Sequence, residues 1–276
     1  MQSWPARDGI LRSDDLGKKW VDSSRGLGIR YVRWLATHPQ VPGLVFAGTE
    51  PAGIYISSDD GVSWDERPEV FELRERGGWS LPYSPAAGCV RGFAFHGQRV
   101  YGAAEVGGVL RSTDGGKGWE MANGISSGWQ GRVNTDVHSI EVHLSSPELV
   151  YAPTGGGFYR SWDGGESWEQ RYSCYCRAAW VDSDDPEHLI LGPADHVDRG
   201  GRIEESLDGG QGWQAARGGL ETPWPRHMVE RFYQIDDQLL AVLSNGELLA
   251  CALNKLSWEK IQAGSGEVRA VTWIME

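Results

Sequence analysis

The stretch Ser112-Thr-Asp114-Gly-Gly116-Lys-Gly-Trp119 follows the pattern Ser-x-Asp-x-Gly-x-x-Trp, which the chain repeats in five intact copies. The other four copies begin at Ser13, Ser57, Ser161 and Ser206, and a decayed sixth copy runs from Cys251 to Trp258. Successive copies start 44 to 55 residues apart. A nearly constant spacing in this range indicates a repeat architecture, in which one supersecondary unit recurs along the chain.

Each copy of the pattern has the chemistry of a tight connection between two strands. It follows a short run of β-forming residues, such as Gly53–Ile56 or Gly108–Arg111, and a second run begins at the Trp. Asp and Ser side chains in such turns hydrogen-bond to nearby backbone N–H groups, and Gly accepts the positive φ at which a chain reverses. Because the pattern occurs once in every repeat, it predicts structural turns rather than catalytic groups.

The same order of short strands recurs upstream of each copy. We expect strands at Tyr31–Thr37, Leu44–Gly48 and Gly53–Ile56, then at Val90–Phe95, Arg99–Ala103 and Gly108–Arg111, then at Val137–His143, Leu149–Ala152 and Gly157–Arg160. This order predicts an all-β, six-bladed β-propeller of four-stranded antiparallel blades. We expect the C-terminal strand Val268–Ile274 to complete the first blade and close the ring, so that residues 1–276 form a single domain.

The repeated turns resemble the Asp-box (BNR) repeat of β-propellers, which occurs in sialidases, xyloglucanases, sortilin-type receptors and Ycf48-like photosystem assembly factors. The resemblance covers nearly the whole chain and implies a sialidase-like propeller fold. It implies less about function, because one scaffold hosts enzymes, receptors and assembly factors. An exo-sialidase-like glycoside hydrolase is the lesser alternative, because the Arg-Ile-Pro segment that such enzymes carry near the start does not occur in this sequence.

Composition limits the classes of partner. The 276 residues carry a net charge of −12, and no Lys/Arg-rich tract stands out, so we expect no binding to nucleic acid or to an anionic membrane. The sequence has no run of eighteen apolar residues, and its start lacks the basic and apolar regions of a signal peptide, so we expect a cytoplasmic protein. The four cysteines lack the CxxC spacing of metal sites.

A charged column emerges when the first strands of the six repeats are aligned. It consists of Arg33, Arg91, His138, Arg177, Glu230 and Arg269. A charge on a strand of a buried sheet is costly unless it faces water or a partner, so we expect these side chains at the mouth of a central channel. The loops between second and third strands suggest the ion pairs Arg33–Glu50, Arg91–Glu105 and Arg177–Asp195.

Two interpretations of this column remain open. In the first, the charges form a structural ion network. In the second, they line a pocket in which arginines bind a carboxylate or phosphate bidentately while an acid or a histidine transfers protons. The candidates for proton transfer are His138, Glu50, Glu105 and Glu230, and the candidates for ligand binding are Arg33, Arg91, Arg177, Arg269, Asp195 and His196. The irregular positions His138 and Glu230 favour the pocket, because local departures from a rule are typical of functional sites.

A divalent metal is a further hypothesis for the same mouth. His138, His196 and His227 all fall there, and three imidazoles can hold a divalent cation with an open position. They lie on different repeats, so no local spacing supports the site.

The leading functional hypothesis is an enzyme of hydrolase or lyase type that acts on a small anionic ligand. The alternative is a protein-interaction or assembly-factor propeller without catalysis. In that alternative, the interface would be either an arginine patch or the long connecting loops, which carry Trp79, Tyr83, Trp129 and Trp224.

Overall fold

The computed structural model of the chain describes residues 2–6, 8–80, 87–124, 131–216, 218–261 and 267–271. These residues form 23 β-strands in six sheets and one short α-helix. The chain divides into two compact units, which are residues 1–152 with 160–169 (the first unit) and residues 153–159 with 170–276 (the second unit). The single domain stays a prediction.

The first three sheets contain their strands in chain order. Sheet 1 consists of β1 (Gln2–Ala6), β2 (Gly9–Ser13) and β3 (Val21–Asp22). Sheet 2 consists of β4 (Val32–Thr37), β5 (Val45–Thr49), β6 (Ile54–Ser57) and β7 (Asp65–Glu66). Sheet 3 consists of β8 (Cys89–His96), β9 (Arg99–Glu105), β10 (Gly108–Ser112) and β11 (Glu120–Met121).

The remaining three sheets repeat the four-stranded plan. Sheet 4 consists of β12 (Glu141–His143), β13 (Ser146–Thr154), β14 (Gly157–Ser161) and β15 (Glu169–Tyr172). Sheet 5 consists of β16 (Tyr175–Val181), β17 (Leu189–Ala194), β18 (Glu204–Ser206) and β19 (Gln214–Ala215). Sheet 6 consists of β20 (Val229–Ile235), β21 (Gln238–Leu243), β22 (Leu248–Ala252) and β23 (Glu259–Ile261). Sheets 2 to 6 therefore confirm the predicted four-stranded antiparallel blades.

The predicted number of six four-stranded blades is wrong for the described residues, which form five such blades and the three-stranded sheet 1. β1 pairs with β2, and β2 ends at Ser13, where the first copy of the repeated turn begins. β1 therefore corresponds to the second strand of a blade, and sheet 1 has no first strand among the described residues. The segment 267–271 adopts no strand, and Glu267 and Arg269 pair with each other there. Residues 272–276 lie outside the described residues, so ring closure stays a prediction.

The first strand of sheet 4 begins later than the sequence predicts. It starts at Glu141 rather than Val137, so His138 precedes the strand instead of lying on it. A register shift against β13 within this short strand accompanies the late start.

The repeated turns are hydrogen-bonded as their chemistry predicts. In the turn that follows β10, Ser112 Oγ donates to Asp114 Oδ1 at 2.8 Å and accepts from the Gly116 N–H at 2.8 Å. The Gly118 N–H donates to the same Asp114 oxygen at 2.9 Å. The corresponding bonds occur in the turns that begin at Ser13, Ser57, Ser161 and Ser206. The turns thus satisfy their own polar groups, which supports a structural role.

The tryptophan of each turn also has a structural role. The indole N–H of Trp64 donates to the carbonyl of Ser23, the residue that follows β3, at 2.8 Å, and that of Trp119 donates to the Gly116 carbonyl of its own turn at 3.0 Å. In the decayed copy, Trp258 is buried, and its indole N–H has no hydrogen-bond partner among the described residues. The loss of the Ser and Asp in this copy therefore coincides with a less complete set of hydrogen bonds.

The connection between sheets 2 and 3 contains α1 (Pro68–Gly77), where the sequence predicted a long loop. Pro68 occupies the start of this helix, and Gly78 ends it with φ at 58°. Trp79 packs into the core of the first unit, and Trp224 packs into that of the second. These two residues are buried rather than presented to a partner, which corrects the prediction. Tyr83 and Trp129 lie outside the described residues.

Within the described part of the chain, no helix is long and apolar enough to span a membrane.

Candidate functional site

Four of the six members of the charged column lie at β-bulges, where one strand carries an extra residue. The register of β4 against β5 shifts at Arg33, which has no counterpart of its own on β5. The same shift occurs at Arg91 in β8, around Arg177 in β16 and at Glu230 in β20. A bulge re-aims a side chain and is common beside active sites. Each of these four strands therefore supplies a charged side chain at the one position that departs from the ladder.

Arg33 is held by two neighbours and keeps part of its guanidinium free. Its Nη1 donates to the Tyr31 hydroxyl at 2.8 Å and to Glu50 Oε2 at 3.2 Å, which confirms the predicted pair with Glu50. The guanidinium carbon also lies 5.4 Å from the centroid of the Tyr31 ring. Nε and Nη2 donate to no group among the residues that the structure describes, and the side chain is 31% exposed. Burial acts to lower the pKa of Arg33, but Cys89, Tyr31 and Glu50 outweigh it and raise the pKa.

Arg91 and Glu105 form the second predicted ion pair, with 3.0 Å between Nη1 and Oε2. The Cys89 thiol donates to the same carboxylate oxygen at a sulfur–oxygen distance of 3.4 Å. Burial raises the pKa of Cys89 to about 12, and the charge of Glu105 adds to the rise while Arg91 and Arg33 oppose it. The thiol is therefore protonated at neutral pH and serves as a hydrogen-bond donor rather than a nucleophile.

His138 lies next to two carboxylates. Its Nε2 is 3.2 Å from Asp136 Oδ1. One ligand atom from each of Glu105, Asp136 and His138 lies within 4.8 Å of the other two. The side chain of His138 is fully buried, whereas that of Asp136 is 42% exposed. Solvent therefore reaches this group through Asp136.

We use the name first-unit cluster for the set Arg33, Glu50, Cys89, Arg91, Glu105, Asp136 and His138. All seven belong to the first unit. The strands that carry Arg33 and Arg91, β4 and β8, contact each other, which places the two ion pairs on adjacent sheets of the first unit. The set unites three of the predicted proton-transfer residues with two of the predicted ligand-binding arginines.

A smaller charged group occurs in the second unit. Arg177 forms an ion pair with Glu230, and its guanidinium lies 5.5 Å from the centroid of the Tyr175 ring. Burial acts to lower the pKa of Arg177, but Glu230 and Tyr175 outweigh it and raise the pKa. The predicted pair of Arg177 with Asp195 is wrong, because Asp195 Oδ1 accepts from Arg202 Nη1 at 3.0 Å. Asp195 and Arg202 belong to the same connection between β17 and β18, so their pairing is local.

The other two predicted metal-binding histidines lie in the second unit. His196 stacks on Tyr175 with 6.4 Å between ring centroids, and His227 stacks on Trp224 at 5.0 Å. Burial lowers the pKa of His227, with the charges of Glu247 and Asp198 opposing the change. A site that joins them to His138 stays a prediction.

Sequence reasoning missed four residues that complete these groups, which are Tyr31, Cys89, Asp136 and Tyr175. Each lies two positions before a member of the charged column. Alternate residues of a strand share one face, so this spacing was the signal that could have identified them.

The fold that these sheets define is that of a β-propeller, and comparison with solved structures supports this class. An ancestral GH74 enzyme matches with a TM-score of 0.68 at 18% identity, over 92% of this chain and 36% of that one. The GH74 xyloglucanase of Xanthomonas campestris matches with a TM-score of 0.68 at 15% identity, over 93% and 42%. A structure of YCF48 bound to D1 peptide matches with a TM-score of 0.50 at 15% identity, over 86% and 72%.

These similarities extend to the fold alone, because every identity is below 25%. The chain spans only 36% to 42% of the length of the two GH74 chains. No protein-family model matches the chain, and no curated protein matches its sequence.

Proposed function

We propose that this propeller binds a small anionic ligand, bearing a carboxylate or a phosphate, at the first-unit cluster. Arg33 carries the proposal. Its Nη1 is fixed by Tyr31 and Glu50, while Nε and Nη2 remain without partners in the described part of the chain. These two nitrogens form one edge of a guanidinium, the edge that can donate two parallel hydrogen bonds to a carboxylate or phosphate.

The surroundings of Arg33 suit this role because they hold the side chain in place before a ligand arrives. The contact with the Tyr31 ring and the bond to Glu50 reduce the rotamer freedom that binding would otherwise remove. Arg33 also remains accessible to a ligand from solvent, because its side chain is 31% exposed.

The same cluster holds groups for proton transfer, so we propose hydrolase or lyase chemistry on the bound ligand. Glu50 and Glu105 are the carboxylates that form ion pairs with Arg33 and Arg91. His138 is enclosed, and in this conformation it acts through Asp136 rather than directly on a ligand. Hydrolysis of an aryl phosphate ester by the wild type, and its loss in Glu50→Gln, would support catalysis.

Isothermal titration with inorganic phosphate and with succinate, both in the presence of EDTA, tests the binding proposal. We expect saturable binding of at least one of these anions to the wild type and binding at least about tenfold weaker to Arg33→Gln. Arg30→Gln is the matched control, since Arg30 is also exposed and paired, with Asp22. Equal affinities in the wild type and Arg33→Gln would contradict the proposal.

A second candidate is a protein-interaction propeller, which one observation favours. Trp20, in the turn of sheet 1, is 39% exposed, whereas Trp64 and Trp119 at the same repeat position are buried. The adjacent Leu16 and Val21 are also exposed. The YCF48 structure bound to a peptide supports interaction as a role for this fold.

A photo-crosslinker placed at Trp20 tests this second candidate. We expect a discrete crosslinked protein from position 20 and none from a crosslinker at Leu144, an exposed apolar residue in the turn between β12 and β13. The same products from both positions would contradict a specific interface.

A further inference from the structure

We infer that Glu105, Asp136 and His138 bind a divalent transition-metal cation. Their potential ligand atoms, one from each residue, lie within 4.8 Å of one another. The inference goes beyond anion binding by Arg33 and does not depend on it.

The spacing of two of the three atoms already fits a shared ion. Zn²⁺ binds histidine nitrogen and carboxylate oxygen at about 2.0–2.2 Å, so two ligand atoms on one tetrahedral ion lie roughly 3.3–3.6 Å apart. The distance from His138 Nε2 to Asp136 Oδ1 is 3.2 Å. The cation can therefore replace the present contact between these atoms, and Glu105 then completes the set with a small side-chain movement.

Glu105 has an oxygen available for such an ion. Its Oε2 accepts from Arg91 Nη1 at 3.0 Å and from the Cys89 thiol. Its Oε1 accepts no hydrogen bond from any group in the described ranges. Carboxylates that ligate metals are commonly oriented by hydrogen bonds of this kind, so Arg91 and Cys89 would position Glu105.

The charge of the first-unit cluster also favours a cation. At the three proposed ligands, the two carboxylates Glu105 and Asp136 outnumber Arg91, the arginine that pairs with Glu105, so a net negative charge remains there. A divalent cation reverses this sign. An imidazole with two carboxylates suits Zn²⁺ or Mn²⁺, and three protein ligands leave positions open for water or an anion. The partly exposed Asp136 gives the ion a route from solvent.

A histidine beside two carboxylates does not by itself make such a site, as His188 demonstrates. Its Nδ1 lies 3.0 Å from Asp182 Oδ2, and its Nε2 lies 3.2 Å from Glu205 Oε1. The two carboxylates occupy opposite sides of the ring, so they cannot share one ion with a single nitrogen. His188→Gln is therefore a matched control.

The test is isothermal titration of EDTA-treated, dialysed protein with Zn²⁺ and, separately, with Mn²⁺. We expect the wild type and His188→Gln to bind one equivalent of at least one of these ions at micromolar concentration. Glu105→Gln and Asp136→Asn should each bind that ion at least about tenfold more weakly. Asp136 is the more exposed of the two, so its variant keeps the test valid if Glu105→Gln fails to fold.

Two outcomes would overturn the inference. One is that neither ion binds the wild type at micromolar concentration. The other is that folded Asp136→Asn binds as tightly as the wild type. Either outcome leaves the proposed anion binding intact, because that experiment is performed in EDTA.

Discussion

At the scale of single residues, Arg33 and Arg91 occupy equivalent bulges on the first strands of sheets 2 and 3 but differ in their surroundings. The side chains of Arg91 and Glu105 are 11% and 16% exposed, and a thiol donates to the same carboxylate. Arg33 is nearly three times as exposed as Arg91. Arg91 is thus suited to holding Glu105 in place, and Arg33 to meeting a ligand.

The contrast predicts different stability effects. Arg91→Ala leaves the Glu105 carboxylate without its ion-pair partner in a largely buried site, so we expect a loss of about 3 kcal/mol in the free energy of unfolding. Arg33→Ala breaks a pair that water can partly replace, at a cost of about 1 kcal/mol or less. Urea denaturation of both variants measures the difference, and equal losses would contradict the assignment of roles.

At the scale of the element, the repeated turns and most strands could be predicted from sequence because local chemistry determines them. The β-bulges could not, since a register shift depends on the partner strand rather than on the residue that bulges. The helix Pro68–Gly77 carried two sequence signals, a proline at its start and a glycine at its end. Its few apolar residues, Val70, Phe71 and Leu73, form too short a pattern to separate a helix from a loop. The pair Arg177–Glu230 could not be predicted from the sequence, because it joins side chains of two different sheets.

The repeated turn gives a direct prediction about stability. Asp114→Ala removes the acceptor for the Ser112 hydroxyl and for the Gly118 N–H, so we expect a loss of about 1–3 kcal/mol. Asp14→Ala is the control, because its partner is a single exposed contact with Arg12 and such pairs contribute roughly 0–1 kcal/mol. Chemical denaturation that ranks the two variants equally would argue against the structural role of the turn, and phosphate binding should be unchanged in both.

At the scale of the whole molecule, five copies of one turn contribute the same kind of pH dependence. The pKa of the turn aspartate is lowered in all five, at Asp15, Asp59, Asp114, Asp163 and Asp208. For Asp59, hydrogen bonds from the side chains of Ser63 and Ser57 and from the Ser63 N–H lower the pKa from 3.8 to about 2.

The number of complete blades could not be predicted from the sequence, because segment 267–271 has strand-like residues but forms no strand.

Thermal unfolding as a function of pH checks the predicted contribution of the turn aspartates to stability. A carboxylate whose folded pKa is depressed stabilises the fold fully above the unfolded value and loses that contribution as pH falls through the folded value. We therefore expect the melting temperature to drop between about pH 4 and pH 2, and to drop less steeply in Asp114→Ala. An identical acid response in the variant would show that the turn does not take part.

Binding of an anion by Arg33 is tested most directly by NMR of arginine side-chain Nε–H groups during a titration with inorganic phosphate. A resonance assigned to Arg33, through its loss in Arg33→Gln, should shift saturably and exchange more slowly with water as phosphate binds. An Arg33 resonance that stays unchanged, or that shifts no more than the exposed Arg30, would contradict the proposed site.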